Sequence, residues 1–206
     1  MFGFGADMLF HIPGILLALT VHEYAHARAA VSLGDPTPRY AGRLTLNPIP
    51  HLDPIGLIML WLFRFGWAKP VPVNPYNLRN GRRDMLAVSL AGPAANILLA
   101  LLTAIVYSLS LKLHFDSFEW SSILVSTYQY NLIFAVFNLI PLPPLDGAQI
   151  VSSFLSGRQT EVFERIAPYS PFILMGLVYI GVIGKIVGPG MNYLSQMIGF
   201  VVSLIL

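Results

Sequence analysis

The chain has 206 residues, 55% hydrophobic and only 11% charged, where ordinary soluble domains carry about 25% charged residues; it reads as a membrane protein. A crossing takes roughly 20 apolar residues, which leaves room for about four to six transmembrane helices in one domain spanning residues 1–206 and for no separate soluble domain. The absence of Cys excludes disulfide frameworks, zinc ribbons and thiol nucleophiles, and a net charge of +2 is too slight for nucleic-acid binding.

Met8 to Leu33 is almost uniformly apolar, without a basic n-region, and predicts a retained spanning helix. Further long apolar runs follow at Met85–Leu111, Ser121–Ile140 and Pro171–Val187, and Met191–Leu206 is marginal in length for a span. Ile55–Phe65 is too short to cross and predicts a re-entrant or interfacial helix, with Asp53 as its cap and Pro54 as its first residue. Asp84 similarly predicts a cap for the helix that starts at Met85. Two stretches have strand character, Gly42-Arg43-Leu44-Thr45-Leu46-Asn47 and Lys69–Asn74. Together they predict a re-entrant β-hairpin between the first two spans, so the expected fold is an all-α polytopic membrane protein with one such hairpin-like segment.

The segment from Gly34 to Asp84 holds seven of the 12 basic residues, namely Arg39, Arg43, Arg64, Lys69, Arg79, Arg82 and Arg83. The positive-inside rule therefore places it in the cytoplasm and the amino terminus outside. His22 and His26 lie 14 and 18 residues beyond Met8, roughly 21 and 27 Å along a helix, which puts them toward the cytoplasmic leaflet.

His22-Glu23-Tyr24-Ala25-His26 is an H-E-x-x-H motif. Positions i and i+4 share one helix face, so two imidazoles grip one Zn2+ while the Glu stands beside the metal as a general base. Ionisable groups near the middle of a span cost on the order of 2.5 to 3.5 kcal/mol on insertion scales, and a metal is the partner that satisfies all three at once. A buried cluster of His hydrogen bonds is the competing reading. Catalytic zinc takes three protein ligands, and Asp146, delivered after the helix-breaking Pro141, Pro143 and Pro144, supplies the third. Capping of the short helix predicted at Ala148–Leu155 would also account for an Asp there.

H-E-x-x-H in the first span, Gly92-Pro93-Ala94-Ala95-Asn96 in the second and Pro143-Pro144-Leu145-Asp146-Gly147 in a later one together resemble the site-two protease family of intramembrane zinc metalloproteases. The absence of PDZ and CBS modules, with Leu46–Gly56 and Trp67–Pro75, is similar to its compact branch. The resemblance implies His22, His26 and Asp146 as zinc ligands, Glu23 as the base, and Asn96 as a donor to the substrate backbone or the oxyanion. An Asn satisfied at a helix-packing kink beside Pro93 is the alternative for Asn96. His51 is a candidate for substrate or metal contact or an interfacial residue. Asn131 and Gln129 read as interhelical hydrogen-bonding groups, and Asn138 as a support for Asp146.

The function these features predict is hydrolysis of transmembrane or membrane-proximal peptide bonds in a plasma membrane. A substrate helix would unwind and pair with the free edge of Gly42–Asn47. A single-span membrane protein such as an anti-sigma factor is the type of substrate the resemblance implies, and the sequence sets no oligomeric state. A metal transporter or metal-binding scaffold is the alternative from another class, but it would need a second ligand set for exit, which the sequence does not contain.

Overall fold

The long apolar runs fold as helices. The computed structural model describes residues 8–63, 66–156 and 158–206. Every named element among them is helical: α1 (Met8–Ser32), α2 (Thr37–Tyr40), α3 (Pro54–Phe63), α4 (Arg82–Lys112), α5 (Phe118–Asn138), α6 (Asp146–Ser152), α7 (Arg158–Ile166), α8 (Ser170–Tyr179) and α9 (Val182–Ile205). The last two residues of the predicted Ile55–Phe65 helix, Arg64 and Phe65, lie outside the described residues.

Local chemistry sets the ends. Asp53 caps α3 as expected, its Oδ1 accepting from the amides of Ile55 at 2.8 Å and Gly56 at 3.0 Å. At α4 the helix starts at Arg82, earlier than the sequence suggested, and Asp84 reaches back to the Asn80 amide at 2.8 Å. Ser117 caps α5 by accepting from the Trp120 amide. Prolines 141, 143 and 144 prevent α5 from continuing, and the turn that follows is tight enough to demand Gly147. A Cβ there would stand 2.3 Å from the Leu139 carbonyl oxygen.

Helices α1, α4 and α5 pack against one another, α9 lies on α4 and α5, and α6 lies on α4. The seam of α1 is built of small residues, Ala18, Ala27 and Ala30, each fully buried, which lets helices approach closely without interdigitating long side chains. Ala100, Leu132 and Ile198 join α4, α5 and α9. Leu98, Leu102 and Leu109 of α4 face outward, as a helix embedded in lipid would have them. Among the described residues α4 alone is long and apolar enough to cross a membrane by itself, and α8 with its preceding turn forms with α9 a further candidate bent by 78°.

Two expectations are corrected. The Pro171–Val187 run is broken at Ile180–Gly181, where Gly181 takes φ +77° and ends the helical path, and Val182–Ile205 runs as one helix through Pro189. No strand forms at Gly42–Asn47 or Lys69–Asn74; the one β feature among the described residues is the antiparallel bridge between Leu52 and Ala68. The reason is local. Gly42 turns with φ +67°, the Arg43 amide bonds back to the Pro38 carbonyl at 2.8 Å, and the side chains of Thr45 and Asn47 accept from the amides of Asn47 and Ile49. Such side-chain turns satisfy backbone donors that a ladder would otherwise use.

Candidate metal centre

The two histidines of α1 sit one turn apart, and their Nε2 atoms are 3.0 Å from each other. Both are buried, and each has its other nitrogen engaged. His22 Nδ1 lies 2.6 Å from Asn96 Oδ1, and His26 Nδ1 lies 2.8 Å from the Val88 carbonyl. An oxygen acceptor at Nδ1 places the proton there and leaves the Nε2 lone pair free, the usual way a protein orients a metal-binding imidazole. Two lone pairs turned toward each other at this distance repel, and a cation between them removes the conflict.

Asp146, at the start of α6, completes the group. Its Oδ2 is 3.1 Å from His22 Nε2 and its Oδ1 is 3.2 Å from His26 Nε2. The separations suit zinc, since ligands about 2.0 to 2.1 Å from a tetrahedral ion stand about 3.3 Å apart. His22, His26 and Asp146 form a group able to hold a metal ion. Gly92 makes room for it. A Cβ at that position would lie 2.4 Å from His26 Nε2 and 2.6 Å from His22 Cε1, so any side chain on α4 here would enter the space where the imidazoles converge.

Glu23 points elsewhere. Its Oε2 accepts from the Val71 amide at 3.1 Å, so the base predicted from the motif meets the chain segment between Lys69 and Asn74. That segment is tied at one end by the Lys69 amide on the His51 carbonyl at 2.9 Å and by the Arg43 guanidinium on the Lys69 carbonyl. At the other end Asp35 accepts from the Asn74 amide at 2.7 Å. Burial raises the Asp35 carboxyl, but hydrogen bonds from Thr37, Asn77 and Asn74 outweigh it and hold it below the usual carboxylate range. Burial also lowers the Arg43 guanidinium, against the opposing pull of the Glu23 charge.

The structure therefore assembles some predicted site residues and separates others. His22, His26 and Asp146 converge, with Glu23 between the histidines in sequence. His51 is fully buried and directs Nε2 to the Thr45 carbonyl at 2.9 Å, so it shapes the loop and does not join the metal group. Arg43 is buried, while Gly42, Leu46 and Asn47 are exposed and Leu44 and Thr45 partly so, none of them in a helix or strand. Asn96 is adjacent to the site but not open to it. Its Oδ1 serves His22, and its amide donates to the Ala18 carbonyl at 2.9 Å and to Asn131 Oδ1 at 2.8 Å, which leaves no donor for an oxyanion. Asn138 uses its amide on the Phe134 carbonyl of its own helix. The Val71 amide, the Val88 carbonyl and the full connection of Asn131 were not anticipated; the alternation Pro70-Val71-Pro72-Val73 was the signal available for the first, because in extended chain it leaves its donors on one side.

A model of peptidase family M50 matches residues 111–180, a stretch that contains Asp146. A Bacillus subtilis protein named "Putative zinc metalloprotease YwhC" is 36% identical over 181 residues, which cover 84% of this chain and 81% of that protein. The chain belongs to peptidase family M50. This M50 peptidase is also 32% identical over 176 residues to Mycobacterium tuberculosis "Putative zinc metalloprotease Rip2", covering 81% of this chain and 64% of that one. The Rip2 of Mycolicibacterium smegmatis is 34% identical over 143 residues, covering 53% of its own length. No solved structure matches the chain. Membership makes it a membrane-embedded zinc metalloprotease, in agreement with the apolar composition and the metal-binding group.

Proposed function

We propose that this M50 peptidase cleaves peptide bonds of membrane-protein segments inside the bilayer, as in regulated intramembrane proteolysis, with zinc held by His22, His26 and Asp146 and with Glu23 as general base. The observation that carries the assignment is the convergence of three ligand groups, His22, His26 and Asp146, with the Nδ1 of each histidine already occupied. When bound, zinc supplies Lewis-acid polarisation and acidifies water toward neutrality. Glu23 takes the proton of the attacking water and returns it to the departing amine. The site needs its base free, so the Val71 amide on Glu23 Oε2 gives way or shifts when a substrate strand enters. Leu46, 61% exposed, offers the entering segment an apolar contact within the Gly42–Asn47 turns, and buried His51 contributes by holding those turns. A single-span protein such as an anti-sigma factor is the class of substrate that fits.

Glu23→Gln should lower peptide cleavage by about 10²- to 10⁴-fold while zinc stays bound, because all three ligands remain. His22→Ala should empty the site of zinc. Full cleavage by the Gln variant, or unchanged zinc in the Ala variant, would sink the assignment.

Helices α1 and α5 cross the bilayer beside α4 in this reading, with the amino terminus outside and the site toward the cytoplasm. The concentration of basic residues before and at the start of α4 supports that orientation. A Cys placed at exposed Ser117 should react with an impermeant reagent added outside, and one at exposed Asn80 should not. The reverse pattern would invert the topology.

A further inference from the structure

Four buried groups form a chain with a single direction. The Thr127 carbonyl only accepts, so the Asn131 atom 2.8 Å from it is the amide nitrogen, and Asn131 Oδ1 is what remains for Asn96. The Ala18 carbonyl likewise only accepts, so it fixes the Asn96 nitrogen at 2.9 Å. With both of its hydrogens used on Ala18 and Asn131, Asn96 presents an oxygen, and only an oxygen, to His22 Nδ1 at 2.6 Å. Asn96 and Asn131 are wholly buried, so water cannot substitute for a missing partner, and a mismatched amide would leave an unsatisfied group in a dry site.

We infer that Asn131 is a positioning residue for the metal centre: its oxygen, together with the Ala18 carbonyl, holds the Asn96 amide in the one orientation that keeps the His22 proton on Nδ1 and the Nε2 lone pair toward the metal. The inference rests on the reading of His22, His26 and Asp146 as the zinc ligands. Turning the Asn131 amide over would set NH2 against NH2. Asn96 would then either stay against a repelling NH2 or turn as well, giving up the Ala18 carbonyl, placing its own NH2 on His22 Nδ1 and moving the imidazole proton to Nε2, where it blocks ligation. Asn131 touches neither metal nor substrate. It reaches the ligand through Asn96, and it does so from α5, the helix that leads into the turn bearing Asp146. One polar connection therefore ties the α1 ligand to both neighbouring helices.

The test measures the zinc dissociation constant of the full chain in detergent by competition with a chromophoric chelator, and the visible spectrum of the cobalt-loaded protein. Asn131→Leu removes the acceptor and should weaken zinc binding by about 10- to 100-fold, the usual cost of losing an outer partner of a metal ligand, with an altered cobalt spectrum. Asn131→Asp keeps an oxygen for Asn96 in either protonation state and should bind zinc close to wild type. Where the Leu variant does not fold, Asn131→Ser takes its place, since its hydroxyl is too short to reach Asn96. Wild-type zinc affinity in a folded Leu or Ser variant would overturn the inference, and so would an equal loss in the Asp variant. His22→Ala run alongside separates the two readings: zinc retained there refutes the ligand set itself, whereas zinc lost there but held by the Leu variant refutes only the role of Asn131.

Discussion

The metal side of the site is held by side chains reaching across packed helices, whereas the side facing Glu23 is held by a non-helical backbone segment tied down at its two ends. On the first side Asn96, Asn131, the Val88 carbonyl and the Ala18 carbonyl are contributed by α1, α4 and α5, with no exposed member among them. On the second, the chain from Lys69 to Asn74 crosses beside Glu23 with Arg43, His51 and Asp35 as its anchors. The contrast separates two demands on a protease. A metal centre requires fixed geometry, which rigid helices and dry hydrogen bonds provide. Substrate entry requires a surface that yields, and a segment held at its ends meets that requirement at lower cost than a packed helix.

The largest expected break in this comparison is on the helix side, at Gly92. Gly92→Ala would bring a methyl group to 2.4 Å from His26 Nε2, a distance the rigid α1–α4 seam cannot absorb without moving one helix or turning the imidazole. Zinc affinity should fall by at least the tenfold to hundredfold associated with losing an outer partner of a ligand. The Lys69–Asn74 segment should be little changed, because none of the hydrogen bonds that tie it comes from α4. Zinc titration of Gly92→Ala together with amide exchange of residues 69–74 would check both halves. Wild-type zinc binding would mean that the helices yield as readily as the loop, and the distinction would fail.

The sequence disclosed the helix side far better than the loop side, for a physical reason. His22, Glu23 and His26 are joined by local spacing on one helix, which the 3.6-residue period alone converts into geometry. Asp146 was legible because three prolines end a helix wherever they occur. The direction of the Asn96–Asn131 connection was not, since it depends on how α4 and α5 cross. The loop expectation went wrong where short-range bonds compete: β-branched and apolar residues in Gly42–Asn47 suggest a strand, but the Thr45 and Asn47 side chains capture nearby amides first. The break before α9 was hidden because apolar residues continue on both sides of it, leaving Gly181 as the only mark. The strand character read at Lys69–Asn74 does not become a ladder, and the partner of the Val71 amide is the Glu23 side chain and not a second strand.

The smallest expected effect lies at the outer anchor of that segment. Buried Asp35 accepts from the amides of Thr37 and Asn74, the Thr37 hydroxyl and the Asn77 side chain. Its pKa is held below the ordinary carboxylate range by those donors, so its contribution is fully present above the unfolded value of about 3.9 and is lost only as pH falls through the lower, folded value. Between pH 5 and 8 the anchor should therefore be insensitive to pH. Asp35→Asn replaces one acceptor oxygen with a donor facing other donors, and the loss of a charged hydrogen bond of about 1.5 kcal/mol should raise exchange at the Asn74 amide roughly tenfold. Zinc affinity should not move, since no bond from Asp35 reaches either histidine or Asp146. Amide exchange and zinc titration on one preparation decide the matter. Faster exchange with intact metal binding means the segment beside Glu23 can loosen while the ligands stay fixed, and a loss of zinc in Asp35→Asn would mean that the two sides of the site are a single mechanical unit.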